Sequence, residues 1–217
     1  MRLGRRRAVT STDRAVWQAA SLLLTYPDEG HSARLQVVTQ LLDHVPGCAR
    51  DLLVRAHTAL ISRGSRQAAE DYVETFDLNR HATLYLTYWT AGDTRRRGAA
   101  MHEFAAVYRT SGADAPKKES PDHLPVLLEF AARVDPEAGL RLLTEHRVPL
   151  DVVRAALTER GSPYGDVLAA VCSTLPAAGD QDVQLARRLA AAGPPVEAVG
   201  LEPFTLTVPP RRTEKVP

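Results

Sequence analysis

Apolar residues recur at three- and four-residue intervals along nearly the whole of this 217-residue chain, and that spacing commits it to helices. Val16, Ala20, Leu23 and Leu24 make one stripe; Leu35, Val38, Leu41, Leu42 and Val45 make a second; Leu52, Leu53, Ala56 and Leu60 make a third. Each set falls on one face of a helix with 3.6 residues per turn, and must be buried against a neighbour. Alternation with period two occurs only briefly, near Phe204 to Val208. Turn-forming residues separate the stripes at Pro27 to Gly30, Pro46-Gly47, Gly64-Ser65, Gly92-Asp93, Pro149, Gly161 to Pro163, Pro176 to Gly179 and Gly193 to Pro195. The expectation is an all-α fold, a single compact multi-helix bundle of about ten helices. Its core should contain Leu23, Leu41, Leu53, Leu84, Leu127, Phe130 and Leu168.

The pattern divides the chain into a flexible N-terminal tail over 1–12, an all-helical domain over 13–204 and a flexible, proline-containing C-terminal tail over 205–217. An irregular linker over 111–120 interrupts the helices near the middle and ends in a dense helix-start signal. Either Asp122 caps a helix with Pro125 in its first turn, or Ser120 caps one with Pro121 at its first position. Gly92 can end one helix in the left-handed conformation while Asp93 caps the next. Arg95, Arg96 and Arg97 then fall in a first turn, opposed by the macrodipole, and read as surface charge.

Lys and Arg number 27 against 26 Asp and Glu, a balance without the basic excess of a dedicated DNA-binding domain. Cys48 and Cys172, far apart, form neither a disulfide framework nor a CxxC motif, which suits a reducing cytoplasm. Thr10 to Arg14 break the apolar run that a secretory leader needs, and no window approaches a membrane span. Enzyme motifs are absent as well. His102-Glu103 starts like a zinc-protease motif, but Ala106 stands where its second histidine belongs. Gly92 to Gly98 lacks the ending of a phosphate loop, and no GxSxG occurs. Asp122 and His123 are neighbours, and on a helix such side chains point about 100° apart, so they need not form an acid–base pair.

The unusual chemistry gathers in YVETFDLNRHATLYLTYWTAGDTRRRG, from Tyr72 to Gly98. Seven of the twelve aromatics lie between Tyr72 and Tyr108, which makes this segment central to the structure. Tyr72 and Phe76 share a helix face at i, i+4, as do Tyr85 and Trp89, with Glu70, Glu74 and Asp77 on a neighbouring face of the first helix. Two readings stand side by side: core rings beside a solvated acidic face, or an aromatic groove with an acidic rim suited to a basic amphipathic peptide.

That stretch, followed by ESPDHLPVLLEFAA, resembles the nitrate reductase delta-subunit (NarJ) family of chaperones. The second block is also similar to the wider TorD/DmsD group, whose proline-containing segment ends in Asp-His, here Pro121, Asp122 and His123. Asn79, Arg80 and His81 depart from the arginine run that often follows FDL, and Ser120 replaces a common leucine. The resemblance implies a cytoplasmic, non-enzymatic chaperone that binds the apo alpha subunit of nitrate reductase, alone or with the beta subunit, through its N-terminal segment. It further implies that the chaperone permits insertion of molybdenum bis-pterin guanine dinucleotide, holds no cofactor stably itself, and times docking at the membrane without joining the finished enzyme. The client-binding residues it points to are Tyr72, Glu74, Phe76, Asp77, Tyr85, Trp89, Pro121, Asp122 and His123. The alternative from another class is a helical nucleic-acid-binding regulator that uses Arg95 to Arg97 and the N-terminal arginines. An enzyme built on Asp122 and His123 is a third.

Overall fold

The capping box expected of a helix start stands at Thr10: its hydroxyl accepts from the Asp13 amide at 3.1 Å, and the Asp13 carboxylate accepts from the Thr10 amide at 2.9 Å. In the computed structural model, which describes residues 8–92 and 95–195, this box opens α1 (Ser11–Leu24). There follow α2 (His31–Leu42), α3 (Gly47–Ile61), α4 (Ser65–Tyr72), a π-helical turn (Val73–Asp77), α5 (Leu86–Ala91) and α6 (Arg95–Thr110). After the linker come α7 (Leu124–Arg133), α8 (Pro136–Glu145), α9 (Arg147–Glu159), α10 (Tyr164–Ser173) and α11 (Asp180–Ala192). The chain is thus all-α, and extended pairing among the described residues is limited to one isolated bridge between Tyr85 and His123. The tail expected over 205–217 and the Asp93 cap lie outside the described residues.

The bundle is built around α1, which packs against α7, α2, α10 and α3. Val16, Trp17, Ala19, Ala20, Leu23 and Leu24 are all buried, more than one stripe can supply, because this helix has neighbours on several sides. Two of its buried polar groups are satisfied by those neighbours. Trp17 Nε1 donates to Thr174 Oγ1 at 2.8 Å, and Ser21 Oγ donates to the Pro125 carbonyl at 2.8 Å. The α7–α8 contact is closer still, since Gly139 lies against Ala131 with no space for a β-carbon. Asp135 caps α8 by accepting from the Ala138 amide at 2.9 Å, with Pro136 at the first helical position, where its missing donor costs nothing.

Leu23, Leu53, Leu84, Leu127, Phe130 and Leu168 are buried as expected, whereas Leu41 is only half-buried. The inward stripe of α2 runs through Leu35, Val38 and Leu42, which leaves Leu41 on the shoulder of a groove between α1 and α2. Pro149 separates no helices; it sits buried in the first turn of α9. No helix among the described residues is long and apolar enough to cross a membrane.

Truncation should separate these environments. Leu127→Ala is expected to lower unfolding stability by ~2–5 kcal/mol, and Leu41→Ala by well under half as much, measured by urea titration. Gly139→Ala should cost roughly 1–3 kcal/mol although alanine is the better helix former, because the α7 backbone blocks the added methyl.

Candidate functional site

Ser120-Pro121-Asp122-His123 is a tight turn closed by the His123 amide donating to the Ser120 carbonyl at 3.0 Å. Proline at its second position presets the backbone angle, and the Pro121 carbonyl is held by the buried Tyr108 hydroxyl at 2.7 Å. The turn drives Asp122 inward and His123 outward. Asp122 has no solvent exposure, and its carboxylate accepts from the Thr87 amide at 3.1 Å, from the Thr87 hydroxyl and from the Ser120 hydroxyl. Arg97 faces the same carboxylate at 3.9 Å.

Both expected helix starts are therefore corrected. The helix begins at Leu124, with His123 in the cap position and no side-chain cap. Asp122 caps a different helix: its carboxylate holds the Thr87 amide and its carbonyl the Leu86 amide at 3.1 Å, both in the first turn of α5. The Leu124 amide returns the connection by donating to the Leu84 carbonyl at 2.9 Å. Two segments more than thirty residues apart are thus clipped together, with Tyr85 opposite His123.

The two rings stack at 4.9 Å with 28° between planes, and the Arg97 guanidinium lies 5.3 Å from the Tyr85 ring centre. Tyr85 therefore precedes α5 as its N-cap instead of sharing a helix face with Trp89. Trp89 is wholly buried and donates to the Thr83 carbonyl at 3.2 Å. His123 Nδ1 is 3.1 Å from Glu119 Oε2 without an aligned hydrogen bond. Burial draws the His123 imidazole below its ordinary pKa, and outweighs the opposing pull of Glu119, Asp122 and Asp77.

Tyr72 and Phe76 lie together, ring centres 4.7 Å apart, and both touch Tyr164. Tyr72 donates to the Leu24 carbonyl at 3.0 Å, and burial pushes its phenol far above the usual range. Their edges reach a cleft of about 150 Å³, walled also by Tyr26, Thr83, Leu84, Tyr85 and His123, with Asp77 and Glu119 on its rim. Tyr26 is 46% exposed and Tyr85 36%, which supplies apolar surface at the mouth, and Leu78, next along the chain from Asp77, is 77% exposed. Of the residues singled out from sequence, Tyr72, Phe76, Asp77, Tyr85 and His123 meet at this cleft. Pro121 and Asp122 support it from behind, Trp89 is core, and Glu74 is exposed on the π-turn away from the lining. A larger groove of about 700 Å³ between α1 and α2, lined by residues such as Leu22, Val37 and Leu41, brings none of these residues together.

Sequence reasoning missed Arg97, Tyr26 and Glu119. Arg97 had a legible signal: it continues the inner stripe of α6 through Met101, Phe104 and Tyr108, at i, i+4, i+7 and i+11. Tyr26 and Glu119 lie in connecting segments and carried none.

A family model described as nitrate reductase delta subunit matches residues 42–170, a span that contains the turn, the clip and every cleft residue except Tyr26. The chain is 54% identical over 159 residues to the nitrate reductase-like protein NarX of Mycobacterium tuberculosis, an alignment that covers 73% of this chain and 24% of NarX. It spans about a quarter of that relative. It is 30% identical over 169 residues to the probable nitrate reductase molybdenum cofactor assembly chaperone NarJ of Bacillus subtilis, covering 77% of this chain and 92% of that one. With the nitrate reductase molybdenum cofactor assembly chaperone NarJ of Escherichia coli it shares 34% over 97 residues, 45% of this chain and 41% of the relative.

Three histidines set a pH dependence. His31, His123 and His146 are each held below the ordinary imidazole pKa, chiefly by burial. The unfolded chain therefore binds protons that the folded chain refuses, so their contribution is complete above about pH 6.5 and is lost as pH falls below it. The melting temperature should drop between pH 7.5 and 5.5, and His123→Gln should flatten part of that slope.

Proposed function

Because the chain belongs to the nitrate reductase delta subunit family, we propose that it is an assembly chaperone for a nitrate reductase, with the apo catalytic alpha subunit as client. The site binds the client's N-terminal segment and keeps that subunit open while the molybdenum cofactor, as molybdenum bis-pterin guanine dinucleotide, is inserted. The cofactor is cargo for the client, not a group held by this chain. Occupying the client's N-terminal segment also delays its docking at the membrane.

The clip of Leu84 to Leu86 onto Asp122 to Leu124 is the observation that carries this reading. It draws both blocks of the family resemblance to one cleft, and leaves Tyr85 and His123 at the mouth beside exposed Tyr26 and Leu78. Such a surface suits one apolar face of a short client helix, and Glu74 and Asp77 add attraction for a basic segment. Ordering a flexible segment offsets ~2–5 kcal/mol of the gross interaction energy, which keeps binding moderate and release possible. Asp122 acts here by positioning, since it is out of reach of any partner.

The test is recovery of the apo alpha subunit with the tagged chaperone, together with calorimetry on a synthetic peptide of the alpha subunit's N-terminal segment. Leu78→Ala with Tyr85→Ala should weaken the peptide about tenfold, roughly 1.4 kcal/mol, with little change in melting temperature for the Leu78 change alone. If the wild-type chain recovers no alpha subunit and binds no such peptide, the reading is wrong.

A further inference from the structure

The cleft at the turn is too small for a helix. Its 150 Å³ holds one long side chain, and its chemistry specifies which kind. Tyr26 meets Tyr72 edge-on, ring centres 5.4 Å apart at 88°, and Tyr72 meets Phe76 at 55°, so the three rings form a corner and not a flat stack. Aromatic faces carry negative charge density. Two carboxylates stand on the rim. Asp77 engages no cation among the described residues, and Glu119 has only the neighbouring His123, whose imidazole burial holds below its ordinary pKa. Lys117 and Lys118, next along the chain, are exposed and make no ion pair with Glu119. Arg97 lies over the Tyr85 ring and is already turned to Asp122. Asp77 and Glu119 also act together on the cleft walls: beyond the effect of burial, both raise the phenols of Tyr72 and Tyr85.

We propose that this cleft is a specificity pocket for one basic side chain of the client segment, its aliphatic stem against Tyr26, Tyr72 and Phe76 and its charge between Asp77 and Glu119. The inference rests on the client-binding reading above and sharpens it, from a generally basic segment to one indispensable lysine or arginine. The cation is attracted by both rim carboxylates and halves their summed charge, and a neutral side chain of equal length gains only the contact with the rings.

Two experiments on the full chain separate the pocket from the client reading. In the first, acetyl-lysine methylamide, acetyl-arginine methylamide and acetyl-norleucine methylamide are titrated in turn while backbone and ring resonances are followed. Either cationic probe should shift Tyr26, Tyr72, Phe76 and Tyr85 and should bind several-fold more tightly than norleucine; the ratio of the first two shows which cation fits. Equal binding of norleucine overturns the proposal. In the second, the client peptide is compared with versions in which each basic residue in turn is norleucine, against wild type and the Asp77→Asn, Glu119→Gln double variant. Both rim residues are exposed, so the fold should tolerate the change. One position should lose about tenfold with wild type and almost nothing with the variant. A peptide that binds with no such position leaves the client reading standing and removes the pocket. A peptide that does not bind, beside a lysine or arginine probe that does, leaves the pocket and removes the client.

Discussion

A carboxylate without solvent contact must find all its partners inside the protein, and the arrangement around Asp122 follows from that need. Its partners come from three places that the chain does not bring together otherwise: Thr87 at the start of α5, Arg97 in the first turn of α6, and Ser120 in its own turn. Placing a charge at such a depth is costly, and only a complete set of donors makes it tolerable. Once formed, the set is stringent. Taking away Asp122 leaves the buried Thr87 amide without its acceptor and the half-buried Arg97 with only the Thr87 hydroxyl at 3.4 Å and the Tyr85 ring, a loss of ~3–5 kcal/mol for a broken buried pair. Arg97 also opposes the dipole of its own helix, so the carboxylate offsets a local disadvantage as well.

The outward residue of the same turn inherits its position from this constraint. With Asp122 fixed inside, His123 has one place to go, the stack on Tyr85, and Tyr85 is in turn held at the mouth because α5 begins only after it. The opposite wall is set by packing instead of polarity. The π-turn closes with the Leu78 amide donating to the Val73 carbonyl at 2.9 Å, a five-residue step that breaks the α register just after Tyr72 and Phe76 are seated against Tyr164. Asp77 and Leu78 are carried to the surface beyond that break. One wall is thus rigid through ring packing, the other through a buried ionic network.

Much of the architecture was legible because helix burial obeys a local rule. Stripes at 3.6-residue period named six of seven core positions, and the exception, Leu41, sits one residue from the true inward position at Leu42, a difference that depends on where α1 crosses α2. The candidate site was legible in membership more than in arrangement. Tyr72 and Phe76 at i, i+4 look alike whether they face a core or a groove, and in fact their bodies do the first and their edges the second. Tyr85 and Trp89 carried the same spacing, yet the chain is extended at Tyr85, held by a hydrogen-bonded clip to a segment far along the sequence. Asp122 had every local mark of a cap, and it is a cap, but of a helix 35 residues earlier. Local patterns fix what a residue type is suited to do; only the tertiary partner decides for whom.

The geometry also bears on how a chaperone of the proposed kind can let go. A client seated through exposed Tyr26, Leu78 and Tyr85 and one anchored side chain meets few contacts, and those lie at a mouth rather than in an enclosed channel. Affinity then rests on a small number of side chains while the rest of the surface serves complementarity, and differences in residence time follow chiefly from dissociation. Because the Asp122 network lies behind the mouth and already has its partners, client binding need not assemble it, and client loss need not take it apart. Recognition can therefore be weak and repeatable on a scaffold that stays folded between clients, which suits a protein that must surrender what it binds.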